Sequence, residues 1–107
     1  MDENFNIIYR ILKTLRNAMS YSEFDMDFIS PETLGIGQEQ WTAIMEMLVS
    51  NGLIEGVSVK RGAQDDAILS VSRPRITLKG LEYLSENSLM QKAANLAKGI
   101  KEIIPGI

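Results

Sequence analysis

The stretch Ser30-Pro31-Glu32-Thr33-Leu34-Gly35-Ile36-Gly37-Gln38-Glu39-Gln40-Trp41-Thr42-Ala43-Ile44-Met45-Glu46-Met47-Leu48-Val49-Ser50-Asn51-Gly52-Leu53-Ile54-Glu55-Gly56 decides the fold. Ser30, Pro31 and Glu32 form a helix start: a hydroxyl cap, a proline at the first helical position and an acid facing the helix dipole. Gly35 closes that helix early. A second helix over about residues 38–51 carries Trp41, Ile44, Met45, Leu48 and Val49 at the spacing of a buried face. Glu39, Ala43, Glu46, Met47 and Ser50 lie opposite. Asn51-Gly52 could turn a hairpin, but after a helical run the glycine reads better as a left-handed C-terminal cap. Helix, turn, helix and the start of a strand is the order of a helix-turn-helix running into a wing.

Outward from this stretch the pattern continues. Leu53–Lys60 and Ala67–Ile76 are rich in β-branched residues and are joined by the polar tip Arg61-Gly62-Ala63-Gln64-Asp65-Asp66, which predicts a two-stranded wing. Pro74 fits late in an edge strand. Thr77 is placed to cap a helix carrying Leu78, Leu81 and Leu84. Towards the N-terminus, Phe5, Ile8, Ile11, Leu12, Leu15, Ala18 and Met19 predict an amphipathic helix over roughly residues 3–19. Phe24-Asp25-Met26-Asp27-Phe28 alternates apolar and acidic side chains and predicts a short half-buried strand. Ser88 and Gln91 have capping-box spacing. They open a final stripe of Leu89, Ala93, Leu96, Ile100 and Ile103 that ends at Pro105-Gly106. The expected fold class is α+β, mainly α: a winged helix-turn-helix over residues 1–87 with a small antiparallel wing, and an extra amphipathic helix over 88–107.

Composition narrows the function classes. The 107 residues suit one domain. With no cysteine and no histidine, disulfides, thiol nucleophiles, thiolate or imidazole zinc sites and an imidazole base are all excluded. No residues suggest a cofactor or metal, and none places a nucleophile beside a base, so the chain reads as non-enzymatic. Gly35-x-Gly37 lacks the rest of a nucleotide fingerprint and reads as a turn. The N-terminus lacks a signal-peptide pattern and no apolar run is long enough to span a membrane, so the cytoplasm is the expected location. The net charge of −3 divides unevenly: residues 1–56 hold three basic and nine acidic side chains, residues 57–107 eight basic and five acidic. Attraction to phosphate must therefore come from the C-terminal half.

The segment Pro74-Arg75-Ile76-Thr77-Leu78-Lys79-Gly80-Leu81-Glu82-Tyr83-Leu84 resembles the wing-exit motif Pro-x-Leu/Ile-Thr-x-Lys-Gly-x-x-Tyr-Leu of the YjcQ family. Ile8-Tyr9-Arg10-Ile11-Leu12-Lys13 is similar to that family's opening, as is Gly35-Ile36-Gly37-Gln38-Glu39-Gln40-Trp41 to its turn. The resemblance covers nearly all the chain, including Lys98-Gly99-Ile100-Lys101-Glu102. It departs from many helix-turn-helix proteins at Gly37, where Ser or Thr is a common cap. The resemblance implies a winged-helix fold in a small protein of Gram-positive bacteria, their phages or mobile elements, and no established chemistry.

Two functions follow as expectations. The leading one is a DNA-binding accessory or transcriptional regulator: Gln38, Gln40 and Thr42 offer base contacts, and Lys60, Arg61, Arg73 and Arg75 form a basic wing for the phosphates of double-stranded DNA. The alternative is a protein–protein adaptor of phage assembly or host control, in which Glu39, Ala43, Glu46 and Met47 meet a protein partner. The bland reading of the wing charges is an edge hairpin protected from aggregation, and Trp41 reads as a core anchor. The stripe Leu89, Ala93, Leu96, Ile100 and Ile103 could pack on the first helix, lie on a membrane with Lys92, Lys98 and Lys101, or form a homodimer; the dimer is the expectation.

Overall fold

The computed structural model describes residues 3–62 and 67–86. Helix α1 (Glu3–Asn17) is followed by two 3-10 turns, Ala18–Ser20 and Met26–Ile29, then by α2 (Pro31–Leu34) and α3 (Gln38–Ser50). Strands β1 (Ile54–Arg61) and β2 (Ala67–Ile76) form an antiparallel ribbon, and residues 78–86 are helical, here α4. The arrangement is the expected α+β winged helix. The expected tail helix of residues 88–107 lies outside the described residues.

The stripe of α1 is Ile7, Ile8, Ile11, Leu12 and Leu15, one continuous face at helical spacing. Two residues expected on it are exposed: Phe5 at 50% and Met19 at 62%. Phe5 sits at the edge of the stripe in the first turn. Met19 would join the stripe if the α-helix continued, but the 3-10 turn rotates it outward.

Residues 24–28 are not a strand. Asp25 caps a 3-10 turn instead, its carboxylate accepting the Asp27 N–H at 2.9 Å. The Asp27 carbonyl then accepts from Ser30 Oγ at 2.9 Å and Thr33 Oγ1 at 2.6 Å. Short polar side chains offer the backbone local partners in place of a sheet ladder, and five residues of alternation are too few to outweigh them. Ser30 does cap α2, accepting the Thr33 N–H at 3.2 Å.

Both helix ends of the helix-turn-helix close by one device. After α3, the Leu53 N–H reaches back to the Leu48 carbonyl at 2.9 Å and the Gly52 N–H to the Val49 carbonyl at 3.0 Å. This is a Schellman motif, in which the residue with positive φ (Gly52, 72°) reverses the chain and an apolar pair closes over it. That pair is Leu48 and Leu53, both buried. After α2, Ile36 and Gly35 make the equivalent bonds to Pro31 and Glu32 at 3.0 and 3.2 Å. The turn between α2 and α3 is thus set by backbone bonding, and Gly37 opens α3 without a side-chain cap.

The core joins the stripe of α1 to Trp41, Ile44, Met45 and Leu48 of α3, with Ile29 and Leu34 before it and Leu53, Ile54, Val57, Ile76 and Leu84 after. Val49, expected on the buried face, is half-buried at its margin. Trp41 anchors this core: its indole N–H donates to the Ile29 carbonyl at 2.7 Å, satisfying the one polar atom that burial would strand.

The ribbon is rooted in that core. Ile54 pairs with Ile76 and Glu55 with Arg75, after which the register shifts and Val57 pairs with Val71. Ser72, Arg73 and Pro74 therefore face Gly56 alone, a bulge that accommodates Pro74. Gly56 has φ 83°, and a Cβ there would run into the Arg73 carbonyl. At the exit, Thr77 Oγ1 donates to the Gly52 carbonyl at 2.6 Å and accepts the Gly80 N–H at 3.1 Å. Thr77 therefore caps α4 and ties it to the end of α3. Gly80 is buried against the Leu53 carbonyl and the Ile76 side chain.

Candidate interaction surfaces

With Trp41, Ile44, Met45 and Leu48 inward, the 100° step of a helix points Glu39, Ala43, Glu46 and Ser50 directly outward, with Met47 beside them. Met47 is 45% exposed. The three polar side chains expected to read bases are not on that outward line. Gln38 and Thr42 share one flank, where Gln38 Nε2 donates to Thr42 Oγ1 at 3.3 Å. Gln40 lies on the other flank and donates to Asn4 Oδ1 of α1 at 2.8 Å. The structure thus separates Gln40 from Gln38 and Thr42 and leaves the centre of the face to carboxylates and apolar groups.

The four wing cations fall into two pairs. Lys60 and Arg61 stand in the outer half of the ribbon, opposite Ile68 and Ala67. Arg73 and Arg75 stand at its root, both exposed and alternating with buried Pro74 and Ile76, so they share a face. Five residue steps along the strand from Ile68 to Arg73 set the separation at up to about 16 Å. The pairs also face different neighbours. Arg61 forms an ion pair with Glu46 of α3, whereas Arg73 and Arg75 border a hollow with Met19 and Tyr21 beyond the end of α1. Neither Lys60, Arg73 nor Arg75 has an ion pair among the described residues.

A third surface lies outside the expected sites. Tyr21 and Phe28 are large apolar side chains exposed at 68% and 62%, and with Phe24 they line a groove against the last turn of α1. Its signal in the sequence is the run Tyr21-Ser22-Glu23-Phe24-Asp25-Met26-Asp27-Phe28, which has three aromatics, three acids and no cation. Reading residues 24–28 as a strand assigns both Phe24 and Phe28 to a core and hides the surface.

Among the described residues no group of acidic side chains could hold a metal ion, and no helix is long and apolar enough to cross a membrane. Burial raises the Tyr83 hydroxyl above its ordinary pKa. Leu89, Ala93, Leu96, Ile100 and Ile103, on which the expected dimer rests, lie outside the described residues.

Compared with profiles of known protein families, residues 9–103 match the family described as YjcQ protein. The chain belongs to the YjcQ family. The match spans α1 from Tyr9, the helix-turn-helix, the wing and α4, in agreement with a YjcQ resemblance that covers nearly all the chain. Searches of curated proteins and of solved structures found no match.

Proposed function

We propose that this YjcQ chain is a non-enzymatic winged-helix adaptor, of phage or mobile-element type and acting in the cytoplasm, that docks a protein partner on the outward face of α3. One observation carries this reading. The helix that would enter a DNA groove presents Glu39 and Glu46 with Ala43 and Met47, while the nearest wing cation, Arg61, is already paired with Glu46. Phosphates would meet the Glu39 carboxylate there, and Arg61 could serve them only by leaving Glu46. A partner with Lys or Arg around an apolar centre would find complementary charge and an exposed methionine, a side chain that adapts to varied surfaces.

A photo-crosslinking residue at position 43 tests this in cells of the native host. A discrete crosslinked partner, lost in Glu39→Lys with Met47→Asp and absent when the crosslinker is at exposed Ser70, is the expected result. No partner beyond that seen at position 70 would remove the reading.

DNA regulation is the second reading, favoured by Lys60, Arg73 and Arg75 having no ion pair among the described residues. A labelled duplex titrated at rising salt separates the two. Nonspecific DNA binders reach about 10⁻⁴–10⁻⁶ M at physiological salt, so the adaptor reading expects nothing tighter than about 10 μM even at low salt. Tighter, salt-sensitive binding abolished by Arg73→Glu with Arg75→Glu would favour the regulator.

A further inference from the structure

The chain between the two 3-10 turns, Tyr21 to Asp25, stands off the last turn of α1 and leaves a groove of about 720 Å³. Ala18, Tyr21, Glu23, Phe24, Asp25 and Phe28 supply its chemistry. That volume lies in the range of sites that enclose a small ligand or several side chains. The Phe24 and Phe28 rings sit 6.3 Å apart at 46°, a tilted pair, and Phe28 and Tyr21 leave most of their surface to solvent. Among the described residues, the only charged lining groups are the carboxylates of Glu23 and Asp25. Aromatic faces are themselves electronegative, so rings and carboxylates together attract cations. The same chemistry repels a phosphate backbone or an anionic lipid surface.

The groove does not end there. A second hollow of about 310 Å³ shares Ala18, Tyr21 and Phe24 with it and is bordered at the far side by Arg73 and Arg75. The continuous surface runs from carboxylates through aromatic rings to two guanidinium groups. A surface ordered this way selects charge order along its occupant as well as composition.

We infer that this dipolar aromatic groove is a docking site for a segment of a partner protein that carries a basic residue, an apolar anchor and an acidic residue in that spatial order. The anchor packs on Phe24, Phe28 and Tyr21. The basic side chain meets Glu23 and Asp25, and the acidic one meets Arg73 and Arg75, whose planar forks suit a carboxylate. None of these residues belongs to α3, so this site and the α3 face stand or fall separately.

Fluorescence anisotropy on the full chain tests the assignment with two labelled peptides of equal composition. One has two lysines, a Trp-Leu anchor and two glutamates in block order; the other alternates its lysines and glutamates around the same anchor. The block peptide should bind at least ten-fold more tightly. Phe28→Ser, Glu23→Lys and Arg73→Glu should each weaken it ten-fold or more with melting temperature retained, since all three positions are exposed. Glu82→Lys, on the exposed side of α4, changes net charge as Glu23→Lys does and should leave binding within two-fold. Equal affinity for both peptides would overturn the proposal, as would equal loss in Glu23→Lys and Glu82→Lys. Light scattering that shows a dimer abolished by Phe28→Ser would assign the groove to a second copy and also overturn it. Peptide binding that emerges only after Leu89→Glu with Leu96→Glu would assign the groove to the chain's own residues 88–107 and would overturn it equally.

Discussion

The root and the outer half of the wing are one ribbon built to two different standards. At the root every device is tight: Gly56 lies under the Arg73 carbonyl, Gly80 against the Leu53 carbonyl, and Thr77 joins Gly52 to α4. Ile54, Val57 and Ile76 deliver that precision to the core. In the outer half Ile68 is 57% exposed, Lys60 lies in the open, and an ion pair joins Arg61 to Glu46 of α3. The root is therefore where a change moves stability. The outer half and the face of α3 are where a change leaves the fold standing, as a surface proposed for docking requires.

The sharpest way to break that contrast is Gly56→Ala. The new methyl requires both a left-handed backbone and displacement of the Arg73 carbonyl. Strain and overpacking together predict a loss of about 3 kcal/mol or more, a fall in Tm on the order of 15 °C. A melting temperature within a few degrees of wild type would show that the bulge is not packed as described. Gly80→Ala comes next and carries a test of sign. In an open helix this exchange stabilises by roughly 0.5–1 kcal/mol. Against the Leu53 carbonyl and Ile76 it should destabilise by about 1–3 kcal/mol, read by urea unfolding.

In the outer half the expected effects shrink. Glu46→Gln and Arg61→Gln in a double-mutant cycle should give a coupling of about 0–1 kcal/mol, decreasing with salt, because both side chains are partly solvated. A coupling above about 2 kcal/mol would make the outer ribbon a structural element like the root. The smallest effect is a pH dependence at Tyr83 on α4. Its hydroxyl titrates higher in the folded chain because burial disfavours the phenolate. Its contribution to stability is fully present below the ordinary value of 10.0 and is lost as pH rises through the higher folded value. Tyr83→Phe should remove that part of the alkaline slope in chemical denaturation at stepped pH.

The same contrast explains what can be read from the sequence. Elements fixed by local chemistry are legible: the Ser30-Pro31 start, the glycine stops at Gly35 and Gly52, the stripe of α3 and the Thr77 cap all follow from neighbours within a few residues. Residues 24–28 mislead because their period of two imitates a strand while Asp25, Ser30 and Thr33 bond the local backbone. The candidate sites are less legible, since long-range contacts arrange them. Gln40 meets Asn4 across 36 positions and Arg61 meets Glu46 across 15. No spacing rule connects either pair. The bulge at Gly56 sets Arg73 and Arg75 facing the end of α1, away from the pair near the tip, and only the fold reveals that the wing cations divide.

Trp41 is the sole tryptophan of the chain, 8% exposed and bonded to the Ile29 carbonyl. That makes it a built-in optical gauge. Its emission should lie to the blue of a solvated indole, and it should redden when the 3-10 turn at Met26–Ile29 lifts from α3. Because that turn leads into the aromatic groove while α3 bears the acidic face, one intrinsic signal can time events at both surfaces without a label.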